Sequence, residues 1–408
     1  MGPTIHANSI PITLTQTIDT LILPPADPVH RWWWDRCAPL MVGLLQSSEA
    51  YTPEQQADHM HVFRDAVVPT FGPPTAEAGV IPLLTLDGSP FEPSWNFTNK
   101  GSVVRYTFEP LGPRAGTPSD PFAEEIVPSL IPMLERVSSD VDLRWFKQIM
   151  DQWFIQGDSS LVKAAKEALP PHVKRIPQIF VAFDMKAEKR MMKAYLFPVL
   201  KHLATGETTE NLTFDMIRGL QPGGNQLKAA ADKLQKYLAT SKVRCPVEMV
   251  AIDCIDPSKA RVKVYARANA NSKAVLRDAC TLGGTQTDEM SMKGLEMAEK
   301  VWHLLLDERG GMAEDQNKAP RNSQTIHKGV CFVFELKQGV ERVDIKAHIP
   351  WCQTSASDLH TIANFTNALG ALGWHDSASK YAKGTMETAT LQKGAYMSSY
   401  FSPMVQEQ

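Results

Sequence analysis

Hydrophobic positions along the chain follow two alternating periods, one helical and one of two residues. A helical stretch opens at Trp32-Trp33-Trp34 and runs through Leu40 to Leu45. A second helix is predicted from about Pro53 to Val68, ending before Pro69. Runs of β-branched and aromatic residues then predict an antiparallel pair, Ile81 to Leu86 and Val103 to Phe108, bounded by Asp87-Gly88 and Pro110. Helical material near Pro121 to Ile155 precedes strands at Ile179 to Asp184 and Met191 to Phe197, and helices follow near Phe214 to Leu220 and Gln226 to Ala239. The next pair is Glu248 to Ile255 and Arg261 to Ala266, turned by Asp256-Pro257-Ser258-Lys259 and followed by a helix near Asp288 to Asp307. Strands at Val330 to Leu336 and Arg342 to Ile349 turn at Gln338-Gly339. Helices near Ser357 to Leu372 and His375 to Ala389 lead to a last extended segment, Ala395 to Phe401.

The recurring unit is helix, strand, strand, helix. Strands joined by short turns pair antiparallel, because parallel neighbours need a long crossover. Several such pairs can close into one barrel wrapped by helices. The alternative is two α+β domains divided near Thr205-Gly206-Glu207-Thr208.

Composition narrows the partners. Forty-two Lys and Arg against forty-five Asp and Glu give a net charge of −3, which argues against a general nucleic-acid binder and for small-molecule partners. The six cysteines form no CxxC pair, and no His or Cys grouping has zinc spacing, so reduced thiols and no metal site are expected. No apolar run reaches membrane-span length, and the first basic residue is Arg31, which points to a soluble, cytoplasmic protein with no membrane partner.

Residues i and i+2 of a strand share a face. On three strands that spacing joins a cation to a ring: Lys193 with Tyr195, Arg261 and Lys263 with Tyr265, and Lys346 with His348. Arg105, with Thr107 beside it, adds a fifth cation, and Tyr396 and Tyr400 share a face if their segment is extended. Any one strand cation is ordinarily a solvated outer face. Five that converge on a barrel interior need an anion, and a diphosphate fits because Arg grips phosphate bidentately while Lys acts as a point charge. Interleaved rings suit a carbocation, so the pattern points to ionisation of an allylic diphosphate. There is neither an Asp-Asp-x-x-Asp cluster for Mg²⁺ nor a Walker-type loop.

The stretch Leu83-Leu84-Thr85-Leu86-Asp87-Gly88-Ser89-Pro90-Phe91-Glu92-Pro93-Ser94-Trp95, with Arg31-Trp32-Trp33-Trp34, Arg105 and the strand motifs in order, resembles the aromatic prenyltransferases of the dimethylallyl tryptophan synthase type over about residues 30 to 403. That resemblance implies an α+β fold, the ABBA prenyltransferase barrel of ten antiparallel strands in αββα repeats. It implies a single domain spanning 1–408, with a helical segment over about 1–75 and the barrel over about 76–408. It also implies metal-independent transfer of a dimethylallyl group to an indole, such as a tryptophan-containing cyclic dipeptide or an indole alkaloid, with no cofactor and as monomer or homodimer. By similarity, Glu92 accepts a hydrogen bond from the indole N–H, and Leu83 and Leu84 line the acceptor pocket. Arg105, Lys193, Arg261, Lys263 and Lys346 match diphosphate ligands; Tyr195, Tyr265, Tyr396 and Tyr400 match cation-shielding rings.

Two departures matter. His348 stands where the family usually has Tyr, as a neutral or a charged ring. The strand Ile179 to Asp184 lacks the Lys base of tryptophan-using members, which disfavours free tryptophan. A phenolic or polyketide acceptor, acceptor-free cyclisation of a prenyl diphosphate, and a non-catalytic binding barrel are the alternatives. Asp58-His59-Met60-His61 is read as structural, since i, i+2 histidines on a helix diverge, and the Trp32 to Trp34 run as packing.

Overall fold

The computed structural model describes residues 22–391 apart from 75–79, 99–100, 139, 156–157, 172, 309–310, 324 and 326–327. Helix α1 (Pro28–Ser47) starts where the Asp27 carboxylate caps the Val29 and His30 N–H groups, with proline at its first position. Helix α2 (Pro53–Val62) carries a capping box between Thr52 and Gln55 and runs on through one π turn and one 3-10 turn to Thr70. Hairpins then alternate with helices: β1 (Phe91–Thr98) and β2 (Gly101–Phe108); α3 (Val127–Val137), α4 (Arg144–Trp153) and α5 (Ser159–Ala168); β3 (Ile179–Lys186) and β4 (Lys189–Leu196). Helices α6 (Val199–Thr205), α7 (Thr209–Gly219) and α8 (Gly224–Thr240) precede β5 (Val247–Asp253) and β6 (Arg261–Ala268). Then come α9 (Lys273–Cys280), α10 (Glu289–Leu305), β7 (Val330–Lys337), β8 (Val340–His348), α11 (Trp351–Thr354), α12 (Asp358–Ala371) and α13 (His375–Leu391).

The strands form one antiparallel sheet in the order β1 to β8, curved into a half-barrel with helices around it. Ten strands in a closed barrel were expected, and the described residues hold eight. The segment Ile81 to Leu86 is not a strand but a turn-rich loop, and its place as the partner of β2 is taken by Phe91–Thr98. The expected segment Ala395 to Phe401, with Tyr396 and Tyr400, lies outside the described residues. β4 pairs with β5, so strands on both sides of the Thr205-Gly206 segment share one sheet.

Alternation along each strand separates the two faces. Val104, Tyr106 and Phe108 of β2 and Val262 and Val264 of β6 are fully buried in the outer core, which includes residues of α1, α7, α8, α10 and α12. Arg105, Thr107, Lys193, Tyr195, Lys263 and Tyr265 lie on the opposite, inner face. The two-residue β7–β8 turn is fixed by Gly339, whose φ of 69° suits a residue without a Cβ. Trp33 and Trp34 pack into the core, as expected. His59 is buried and its Nε2 lies 2.7 Å from the Ala187 carbonyl oxygen, which accords with a structural role.

Candidate active site

All five predicted cations face the concave side of the sheet, and three carboxylates interleave with them. Arg105 donates to Asp184 through Nε and, at 3.3 Å, through Nη2; Lys193 forms an ion pair with the same carboxylate. Asp253 accepts from Arg261 Nε at 2.5 Å and Lys263 Nζ at 2.9 Å. Glu335 accepts from Arg261 Nη1 at 3.1 Å and Lys346 Nζ at 3.0 Å. Cross-strand register produces the alternation: Arg105 stands opposite Asp184, Lys193 opposite Asp253, and Lys263 opposite Glu335. Sequence reasoning missed all three acids, although each can be found as an acidic residue on the cationic face of a neighbouring strand.

Burial and charge act against each other in this cluster. Burial raises the carboxyl pKa of Asp184, but Arg105 and Lys193 overcome it and hold the group well below the usual carboxylate range. Asp253 is likewise depressed, by Lys263 and Arg261 against burial. Burial pushes the Lys346 ammonium down to about 8, against the pull of Glu335, and burial with Arg105 beside it lowers Lys193 as well, against the pull of Asp184. Within this cluster the five basic side chains share three carboxylates, and a multiply charged anion is the fitting partner for the surplus.

Next to the cations lies a row of rings. Tyr195 and Tyr265 meet edge to face at 5.8 Å between centroids, and Tyr265 meets His348 at 5.7 Å. Ala251, Cys331 and Val333 complete this apolar patch, with Met249 against it. Burial, reinforced by Lys346 and Arg267, lowers the imidazole of His348 to about 3, so the ring is neutral at physiological pH and presents no competing charge. Beyond it, Arg267 grips Glu248 bidentately at 2.6 and 3.0 Å, a second pair that sequence reasoning did not find. A β-bulge between Val247 and Met249 brings Glu248 to this side of the sheet.

Glu92 stands opposite Thr107 on β1, half-buried on the same inner face. Burial pushes its carboxyl up to about 7. Leu83 and Leu84 lie in the loop before β1, where both N–H groups donate to the Glu109 carboxylate. Their loop exposes Ile81, Leu83 and Leu86, an apolar lip beside the strand that carries Glu92. Phe180 of β3 packs on Phe197 at 4.9 Å, and the one lysine of the observed strand, Lys186, is exposed at its end, beyond the Ile179 to Asp184 segment that lacks one. Among the described residues no group of three or more His, Cys, Asp or Glu side chains is placed to hold a metal ion, and no helix is long and apolar enough to cross a membrane.

Residues 29–384 match the family described as tryptophan dimethylallyltransferase. The chain belongs to that family. It is therefore a transferase of prenyl groups. This family member is 34% identical to the indole diterpene prenyltransferase terF of Tolypocladium album, over 93% of its own length and 94% of the relative's. It is 35% identical to the indole prenyltransferase tdiB of Emericella nidulans, with 84% of each chain covered, and 30% identical to the O-glucose prenyltransferase PaPT of Phomopsis amygdali, with 91% and 88% covered. Its fold is similar to that of AnaPT from Neosartorya fischeri, with a TM-score of 0.76 at 28% identity over 90% of this chain and 87% of that one. NotF, solved with brevianamide F and DMSPP, shares the fold with a TM-score of 0.78 at 22% identity, over 93% and 90% of the two chains.

Proposed function

We propose that the chain transfers a dimethylallyl group from dimethylallyl diphosphate to an indole by electrophilic aromatic substitution, without a metal ion. The observation that carries this reading is the inner face itself, an over-cationic cluster set directly against a row of rings. Arg105, Lys193, Arg261, Lys263 and Lys346 draw electron density toward the diphosphate as its bond to the allylic carbon breaks. Tyr195, Tyr265 and the neutral His348, with Tyr396 and Tyr400 from beyond the described residues, shield the cation from water. A ring carbon of the acceptor attacks the cation and then loses its proton. Ionised Glu92 accepts a hydrogen bond from the indole N–H and enriches the ring that attacks.

Two observations bear on the acceptor. Relatives covering more than four-fifths of the chain are named for indole and indole diterpene acceptors, and β3 carries an apolar ring, Phe180, opposite Tyr195 of the ring row. These support a tryptophan-containing cyclic dipeptide or an indole alkaloid, indole diterpenes included, with Leu83 and Leu84 lining the pocket. A hydroxyl-bearing acceptor is the second reading, favoured by the likeness to a protein named as an O-glucose prenyltransferase.

Mass spectrometry of reactions holding dimethylallyl diphosphate, EDTA and parallel indole diterpene, cyclic dipeptide, tryptophan and phenolic acceptors tests both. A product heavier than its acceptor by one C5H8 unit is the expected result with an indole. Intact dimethylallyl diphosphate beside every acceptor would refute the donor assignment, and loss of activity in EDTA would refute metal independence.

A further inference from the structure

The loop that carries Leu83 and Leu84 has no strand partner, yet it is held by one buried ion pair. Glu109, the residue after β2, is 1% exposed, and Arg175, ahead of β3, is 8% exposed. The Glu109 carboxylate accepts from the Leu83 N–H at 2.5 Å and the Leu84 N–H at 3.2 Å through Oε2. Its other oxygen lies 2.6 Å from Arg175 Nη2, which also donates to the Ile81 carbonyl at 3.2 Å. The backbone N–H of the same glutamate donates to the Pro90 carbonyl at 2.8 Å, two residues before Glu92. One residue thus ties the loop to the start of β1. A buried carboxylate is retained at a high desolvation cost, which here is offset by a guanidinium and two backbone donors.

We infer that Glu109 and Arg175 are positioning residues that hold the Leu83-Leu84 loop and Glu92 as one unit and thereby set which ring position of the acceptor meets the prenyl cation. This rests on the reading above, in which that loop and Glu92 face the acceptor. Neither residue touches substrate; both act through the loop and through β1. Small displacements of a bound ring relative to the cation change which carbon is in line for attack, so the pair governs product identity as well as rate.

The test compares Glu109→Gln and Arg175→Lys with the parent protein. Glutamine keeps an oxygen for one N–H but cannot form the ion pair. Four quantities are read: the ratio of prenylated isomers by NMR, KM for the acceptor, Kd for inorganic diphosphate, and amide exchange at Leu83 and Leu84. Expected are a second product isomer, a roughly tenfold loss in kcat/KM for the acceptor and a similar acceleration of exchange at the two amides, as suits loss of a charged hydrogen bond. Diphosphate affinity should stay within about twofold, since no cation of the cluster is altered. An unchanged isomer ratio with unchanged acceptor KM would overturn the inference. So would diphosphate affinity falling in parallel with acceptor use, because the pair would then support the whole sheet. If Glu109→Gln does not fold, Arg175→Lys decides alone. Should the parent prenylate no acceptor, the functional reading fails, and amide exchange still decides the structural half: unchanged rates at Leu83 and Leu84 refute it.

Discussion

Replacing Asp253 by Asn removes one of three internal counterions while keeping shape. Asp253 is 2% exposed and accepts from Arg261 and Lys263. Breaking a buried ion pair by neutralising one partner costs about 3–5 kcal/mol. Arg261 keeps Glu335, so about 3 kcal/mol is the fitting value. Unfolding entropy near 2.1 cal/mol/K per residue over 408 residues is about 0.9 kcal/mol/K, so the variant should melt about 3–4 °C below its parent. Inorganic diphosphate at a hundred times Kd stabilises the parent by about 2.7 kcal/mol, a rise of about 3 °C. In Asp253→Asn the anion also replaces the missing carboxylate, so affinity should rise roughly tenfold and the shift at the same concentration should be larger by one to two degrees, or about 1.4 kcal/mol. Differential scanning calorimetry with and without diphosphate measures both changes. A diphosphate shift in the variant equal to or smaller than the parent's would refute the view that protein carboxylates and diphosphate oxygens compete for the same cations.

Three further outcomes follow from the same geometry. Lys193→Ala should lower kcat/KM for the donor by about a hundredfold or more, as for loss of a group that stabilises leaving-group charge; turnover at the parent rate would sink the diphosphate assignment. Because burial raises the Glu92 carboxyl to about 7, its ionised form is lost as pH falls through that value, so kcat/KM for an indole acceptor should climb through neutral pH. Glu92→Gln, which does not titrate, should lack that limb, and persistence of the limb in a pH–rate profile would contradict the role given to Glu92. Burial lowers Lys346 to about 8, so its positive charge is present below that pH and lost above it. KM for the donor should rise above about pH 8, and Lys346→Arg should abolish the rise; an identical profile in the variant would assign the titration elsewhere.

The hairpins and the cation-x-ring spacing were legible because both follow from period-two alternation, which a one-residue slip would invert. Lys193 with Tyr195 and Lys263 with Tyr265 could be paired from spacing alone. Their counterions could not, since which acid faces which cation depends on cross-strand register: Asp184 reaches Arg105 only because β2 and β3 pair with those two residues opposed. The loop at Ile81 to Leu86 misled for a different reason. Its apolar residues suit a strand, but its N–H groups at Leu83 and Leu84 are taken by a side chain far along the sequence, Glu109. The true strand, Phe91–Thr98, was obscured by Pro93, which supplies no ladder donor. β1 pairs only with β2 among the described residues, and on such an edge a missing N–H costs little. His348 was open between two charge states until its burial among Lys346 and Arg267 was known.

Every strand in the sheet pairs with its neighbour in the chain, and the cations are shared out among all four hairpins: Arg105 on the first, Lys193 on the second, Arg261 and Lys263 on the third and Lys346 on the fourth. The local wiring lets each hairpin form early, without waiting for distant parts of the chain to meet. The cluster is a different matter, because it exists only when all four have docked in register. A fragment that keeps three hairpins keeps most of the contacts and loses one wall of the anion site. Diphosphate affinity is therefore a reporter of complete assembly, and in a refolding experiment it should return last, after the helices and the sheet itself.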